Sequence, residues 1–219
     1  MSCPSASYTG FTSPGLLLSL LLAALSPLPL AAAGEPALAE LAAVLPDLRA
    51  GGYVIYFRHG ATDQKVADDL EPDFARCETQ RNLSEQGRVQ ATETGKAIAA
   101  LGIPVGSVIS SPYCRARETA QLAFGRYQID PDLYFALNVD AAERDRLTLA
   151  LRRMLATPPA AASNTVIIAH TANLKESAGI WPKQEGVAYV FKPKGDDAFV
   201  AVAKVLPDDW AKLSATLAQ

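Results

Sequence analysis

The stretch YVIYFRHGATD, Tyr53 to Asp63, decides the fold. Its first five residues are aromatic or β-branched and apolar on both faces, which is the pattern of a short strand buried between two layers. The run then ends in Arg58 and His59 side by side, followed by Gly60. An apolar interior rejects an unpaired cation. The conflict disappears if the strand stops there, at the rim of the sheet. Open α/β sheets bind ligands outside the carboxyl ends of their strands. Gly60 is then expected to remove a side chain where a ligand approaches closely, and Thr62 to offer a hydroxyl to the same pocket.

Outward from this strand, the pattern alternates. Ala32 to Gly52 reads as a short helix and a turn. Gln64 to Asn82 is a polar connection, long enough to suggest a functional loop. Ser84 is the expected N-cap of a helix reaching about Leu101, stopped by Gly102 and Pro104. VGSVISS is a second strand, and RARETAQLAF is a helix entered after Pro112 and ended by Gly125. LYFAL reads as a short strand. AAERDRLTLALRRMLA is a helix with an apolar stripe at Leu147, Leu151, Met154 and Leu155. TVIIAH is a third buried strand. GVAYVF and AFVAVAKVL are late strands joined by KPKGDD, and PDDWAKLSATL closes the chain as a helix. The expected fold class is α/β, a three-layer α/β/α sandwich around a mostly parallel central sheet.

The remainder of the sequence sets bounds. Of 219 residues, 49% are apolar and 20% charged, a globular balance. The net charge of −3 and the lack of a basic cluster give nucleic-acid binding no electrostatic support. Residues 1–33 carry no charged side chain, hold the block LLLSLLLAAL (Leu16 to Leu25), and end in Ala31-Ala32-Ala33. This reads as a secretory signal peptide, although its first part lacks the usual Lys or Arg. The block is too short for a comfortable membrane span. The expected organisation is a signal peptide at 1–33 and one domain at 34–219, periplasmic or secreted, with no stable membrane span after cleavage. Outside the leader only Cys77 and Cys114 remain. In an oxidising compartment they can form one bridge, and otherwise they are two free thiols. A bridge would tie the loop at Gln64 to Asn82 to the residue before Arg115, and this pairing is the expectation.

The chemistry gathers at strand ends. The chain has two histidines, His59 and His170, and each directly follows a buried strand. The third strand agrees: SSPYCRARETA places a strand-to-helix turn at Ser110 to Pro112 and Arg115 in the first helical turn. A helix N-terminus favours an anion, and an arginine fork matches phosphate oxygens. Arg117 falls about 200° around the helix from Arg115 and reads as a surface residue. Two arginines and two histidines around one small volume describe a site for a multiply charged oxyanion. No G-x-S-x-G elbow occurs, and no Gly-rich phosphate loop ending in Lys-Ser/Thr. Arginines beside the histidines would oppose a metal cation.

At these residues the chain resembles the histidine phosphatase superfamily, which includes phosphoglycerate mutases and many phosphatases. RHGAT resembles its R-H-G-x-T motif. RNLSEQGRVQA, SSPYCRARETA and VIIAHTANL resemble its later segments, in order, over roughly Tyr53 to Phe191. QRNLS, YCRA and the late EG resemble an exported bacterial branch that includes proteins named for dephosphorylating lipopolysaccharide-core heptose phosphate. The resemblance implies a phosphoglycerate mutase-like fold and a phosphohistidine on His59. It implies that Arg58, Arg115 and His170 neutralise the transferring phosphoryl group, with Thr62 completing the phosphate pocket. It implies a small-molecule phosphate ester as substrate, with no cofactor and no metal.

One departure stands out. Family members often carry a Leu-x-Glu general acid about 20 residues beyond the Arg115 position, and DLYFALNVD has no Glu there. Asp63, Asp140, Glu143 and Glu185 are the substitutes, with Glu185 favoured because it precedes a late strand. The leading expectation is therefore an exported phosphomonoesterase. The alternatives are a phosphoglycerate mutase-like phosphotransferase and a non-catalytic phosphate- or phosphosugar-binding domain that has lost its acid.

Overall fold

The computed structural model describes Met1 and residues 36–218. The signal-peptide assignment at 1–33 falls, apart from Met1, outside the described residues. Among these, no helix is long and apolar enough to cross a membrane. The chain forms a mixed α/β fold. Helix α1 spans Pro36–Ala50, strand β1 Val54–Arg58, helix α2 Glu85–Ala100, strand β2 Val105–Ser110 and helix α3 Cys114–Phe124. Strand β3 (Gln128–Ile129), helix α4 (Ala141–Ala156), strand β4 (Asn164–Ala169) and helix α5 (Thr171–Ala178) follow. Strands β5 (Ala188–Gly195) and β6 (Ala198–Val205) and helix α6 (Asp209–Leu217) complete it.

The sheet order is β3-β2-β4-β1-β5-β6. Strands β3, β2, β4 and β1 are mutually parallel, while β5 and β6 join antiparallel. Alternation along β1 builds the three layers. Ile55 and Phe57 face a core shared with α1, α2, α3 and α6, where Leu41, Leu48, Ile98, Ala120 and Trp210 lie. Val54 and Tyr56 face the opposite core, with Leu151 and Leu155 of α4 and Leu174 of α5. The expected stripe on α4 is buried at Leu147, Leu151 and Leu155. Antiparallel pairing of β5 and β6 follows from their tight connection, where Asp196 and Asp197 adopt φ of 49° and 57°. Positive φ at two successive turn residues matches the right-handed twist of a hairpin.

LYFAL is not a strand. Short 3-10 turns at Pro131–Leu133 and Ala136–Asn138 overlap its two ends, and the edge strand forms earlier, at Gln128–Ile129. Pro131 lacks the N–H that a strand ladder needs. The segment's apolar residues are used as packing: Leu133 and Ala136 are fully buried.

Helix α2 begins as the sequence predicts. Ser84 caps it, its hydroxyl accepting from Gly87 N at 3.1 Å. The same helix start packs on the loop after β1, and there Gly60 departs from its expected role. A Cβ on Gly60 would meet Gly87 O at 3.0 Å and Leu83 at 3.4 Å, so its missing side chain admits helix α2, not a ligand. Gly87 is tighter: a Cβ there would lie 1.9 Å from Ala61 O. Helix propensity favours Ala over Gly by about 1 kcal/mol, but the clash is with backbone and wins. Gly87→Ala is expected to destabilise the fold by about 1–3 kcal/mol, the range for overpacking. Urea unfolding checks this, and a stabilised variant would contradict the packing described.

Candidate active site

Register places the two histidines side by side. Arg58 of β1 pairs with Ala169 of β4, so the next residues, His59 and His170, leave neighbouring strands together. His59 N donates to Ala169 O at 3.1 Å. The imidazole centroids are 5.4 Å apart, and both rings are buried. Ser111, just past β2, has its hydroxyl 2.7 Å from His170 Nε2. Three adjacent strand ends thus converge, as the sheet-edge argument requires.

The His59 ring has a defined tautomer. Its Nδ1 lies 2.9 Å from Gly60 O. A carbonyl only accepts, so Nδ1 carries the proton and Nε2 keeps its lone pair. Burial pushes both imidazoles well below the ordinary histidine range, and the Arg115 charge pushes further. Both rings are therefore neutral near pH 7.

Cations surround them. Arg115 is 1% exposed. Its Nη1 donates to Asp68 Oδ1 at 2.7 Å and to Arg81 O at 3.3 Å, and its Nε is buried without a hydrogen-bond partner among the described residues. The guanidinium stacks 4.3 Å above the Tyr113 ring. Arg58, the last residue of β1, donates from Nη2 to Glu185 Oε1 at 3.2 Å and from Nη1 to the carbonyls of Pro182 and Lys183. Burial works against the charge on both groups, with Glu185 and Asp68 respectively offsetting part of it. Such a cluster binds an incoming anion by replacing lost solvation.

Glu185 lies in the turn before β5. Gly186 N donates to His59 O at 2.8 Å and so ties this turn to the site. Glu185 Oε1 accepts from Thr62 Oγ1 at 2.7 Å, and Oε2 from Thr62 N at 3.0 Å. Gln64 Nε2 lies 3.3 Å from each oxygen. With Arg58 added, both oxygens face donors. The other acid candidates are engaged elsewhere. Asp63 Oδ1 accepts from Lys65 N, Asp140 caps α4 through Glu143 N, and Glu143 pairs with Arg146.

The structure therefore brings Arg58, His59, Thr62, Arg115, His170 and Glu185 together. It also supplies members that the sequence reading missed. Arg81 contributes positive potential at Arg58, His59, Arg115 and His170. The QRNLS tract carried it in plain view. Asp68 reaches Arg115 from the long loop, and only the fold reveals that. Tyr113 and Phe135 wall His170, with centroids 4.9 and 5.2 Å away. The free helix start expected of α3 is partly occupied, since Cys114 N donates to Gln80 Oε1 at 2.8 Å. Anion binding thus falls mainly to side chains. Arg117 instead donates to Phe74 O at 2.9 Å and lies against the sulfurs of Cys77 and Cys114. Those cysteines are bridged, Cα to Cα 5.7 Å. Among the described residues, no group of three or more His, Cys, Asp or Glu is placed to hold a metal ion.

Residues 54–138 match the model of the histidine phosphatase superfamily, branch 1. The matched segment includes Arg58, His59, Thr62 and Arg115. No curated protein matched the chain. Three solved structures are similar in fold. The protein histidine phosphatase SixA complexed with tungstate is 15% identical, covering 71% of this chain and 97% of its own, at a TM-score of 0.49. Phosphoserine phosphatase from Entamoeba histolytica is 16% identical, covering 72% and 98%, at 0.48. The protein TTHB049 from Thermus thermophilus is 16% identical, covering 69% and 99%, at 0.45.

The neutral histidines carry a pH consequence. Their folded values are depressed, so below about pH 6.5 the unfolded chain binds protons that the folded one does not. Stability is then expected to fall as pH drops from about 6.5 toward the depressed values, by up to about 1.4 kcal/mol per pH unit for each ring. Urea unfolding at pH 7.5, 6.5 and 5.5 measures this. Equal stability across the series would contradict the buried neutral pair.

Proposed function

We propose that this protein is an exported phosphomonoesterase that hydrolyses a small phosphorylated substrate through a phosphohistidine on His59. The observation that carries the reading is the convergence of the only two histidines with Arg58 and Arg115 at the carboxyl ends of adjacent strands. In this reading His59 Nε2 attacks phosphorus in line as the ester bond breaks, and water then breaks the P–N bond. Arg58, Arg115 and His170 stabilise the equatorial oxygens, and Thr62 borders the phosphate. Glu185 holds Arg58 and Thr62 in place, and it is the candidate to protonate the leaving oxygen so that the ester departs as the alcohol. No step in this scheme calls for a metal or cofactor.

Export rests on the uncharged apolar leader at 1–33 and is favoured by the Cys77–Cys114 bridge. The QRNLS and YCRA tracts favour a phosphorylated sugar, of the lipopolysaccharide-core heptose kind, as the substrate class. A binding-only role is less well supported, because binding an anion does not require a histidine with a directed lone pair. Turnover of a generic aryl phosphate is the test. Its leaving group departs almost unaided, so a nucleophile and an electrostatic pocket suffice. Tight phosphate binding without any turnover would favour the binding domain.

A further inference from the structure

Building on the phosphatase reading, we infer that Asp68 is the positioning residue for Arg115, and that the Cys77–Cys114 bridge holds the loop that delivers it. Arg115 has a long side chain, and its fork is useful to a phosphoryl group only when its plane is fixed. Asp68 Oδ1 fixes one end. It accepts Arg115 Nη1 at 2.7 Å and Arg81 N at 2.9 Å, while Arg81 O takes Nη1 at 3.3 Å. The carboxylate is itself mostly buried, its side chain 16% exposed against 1% for Arg115. Nε on the other side is buried and has no hydrogen-bond partner among the described residues. A guanidinium gripped at Nη1 keeps the hydrogen-bonding capacity of Nε for a ligand oxygen.

The loop is built to keep Asp68 there. Asp63 N donates to Asn82 O at 3.1 Å and Asp69 N to Thr79 O at 2.9 Å, closing the segment on itself. Gln80 Nε2 donates to Asp73 O at 2.8 Å, and its Oε1 takes Cys114 N. The bridge from Cys77 then fastens the loop to the residue preceding Arg115. A loop anchored next to the arginine that it orients fixes the geometry in advance, so that less order is lost when the transition state forms.

Two effects compete when Asp68 is removed. Loss of its charge favours a bound anion, and loss of order in Arg115 disfavours it. In the ground state they largely cancel. In the transition state alignment dominates, because a misplacement of about 1 Å can cost about 100-fold. Asp68→Ala should therefore lower kcat for an aryl phosphate by about 10–100-fold. Vanadate, which mimics the transition state, should bind about tenfold or more weakly, and phosphate should change by less than about threefold. An alkyl phosphate should lose as much rate as the aryl one. Asp68→Asn keeps an acceptor oxygen and should recover most of the loss, and it serves if the alanine variant does not fold. Replacing both Cys77 and Cys114 by Ser should reproduce part of the kcat loss. Tighter binding of phosphate and vanadate with kcat unchanged would mean that Asp68 merely fills the anion seat. A loss confined to the alkyl phosphate would make Asp68 the general acid. Either result overturns the inference while leaving the phosphatase reading intact. Wild-type protein that neither turns over aryl phosphate nor binds vanadate would remove both.

Discussion

His59→Ala is expected to lower aryl phosphate turnover by about 10⁴-fold or more, because removal of a covalent nucleophile costs far more than removal of a stabilising contact. The expectation rests on the tautomer. Gly60 O accepts the hydrogen bond from Nδ1–H, which leaves the lone pair on Nε2. His170 is not an equivalent substitute, since its Nε2 is engaged with Ser111 Oγ. The fold should survive. The substitution leaves one buried carbonyl short of a partner, a cost of about 1–3 kcal/mol. Phosphate binding should persist, because Arg58 and Arg115 remain. Steady-state kinetics with calorimetric titration of phosphate checks both halves. Turnover retained within about tenfold would assign the nucleophile elsewhere.

Arg115→Ala should weaken phosphate binding by about 10–100-fold, as expected for a lost charge-assisted hydrogen-bonding group. Two causes act in the same direction. The pocket loses its most buried cation, and Asp68, no longer neutralised, repels the incoming anion. Folding stability should also fall, by up to about 3–5 kcal/mol, because the substitution breaks a mostly buried ion pair and strands one partner. Arg117→Ala is the internal comparison. Arg117 braces Phe74 O and the bridge sulfurs, and its loss should change phosphate affinity less than about threefold. Equal losses from the two variants would place the anion on the wrong side of α3.

Much of this site was legible in the sequence, and the reasons are local. An apolar run ending in Arg-His, another ending in His, and Ser-Ser-Pro before a helix each mark a strand end by composition alone. Cap and stripe signals likewise placed α2 and α4, because Ser84 and the Leu147, Leu151, Leu155 series act within a few residues of themselves. What stayed hidden depends on distant pairing. Asp68 lies 47 residues from Arg115 and Glu185 lies 123 from Thr62, and no short-range pattern couples them. Gly60 suggests ligand access by composition, because its neighbour from α2 cannot be seen in the chain. LYFAL has strand-like composition, but its apolar side chains find partners around His170 instead of a neighbouring strand. Arg81 stands within QRNLS, yet nothing local shows that its charge reaches both histidines.

The central claim is a covalent phosphoryl group on His59, and trapping it is the most direct test. Wild-type protein would be mixed with an aryl phosphate, quenched in alkaline denaturant within the first turnover, and digested for mass spectrometry. Alkaline conditions are needed because an N-phosphoryl bond is lost in acid. The account predicts one phosphoryl group on the peptide carrying His59, absent from His59→Ala. Phosphate found on His170, or on a serine such as Ser111, or rapid turnover with no trapped phosphopeptide at any time point, would contradict it.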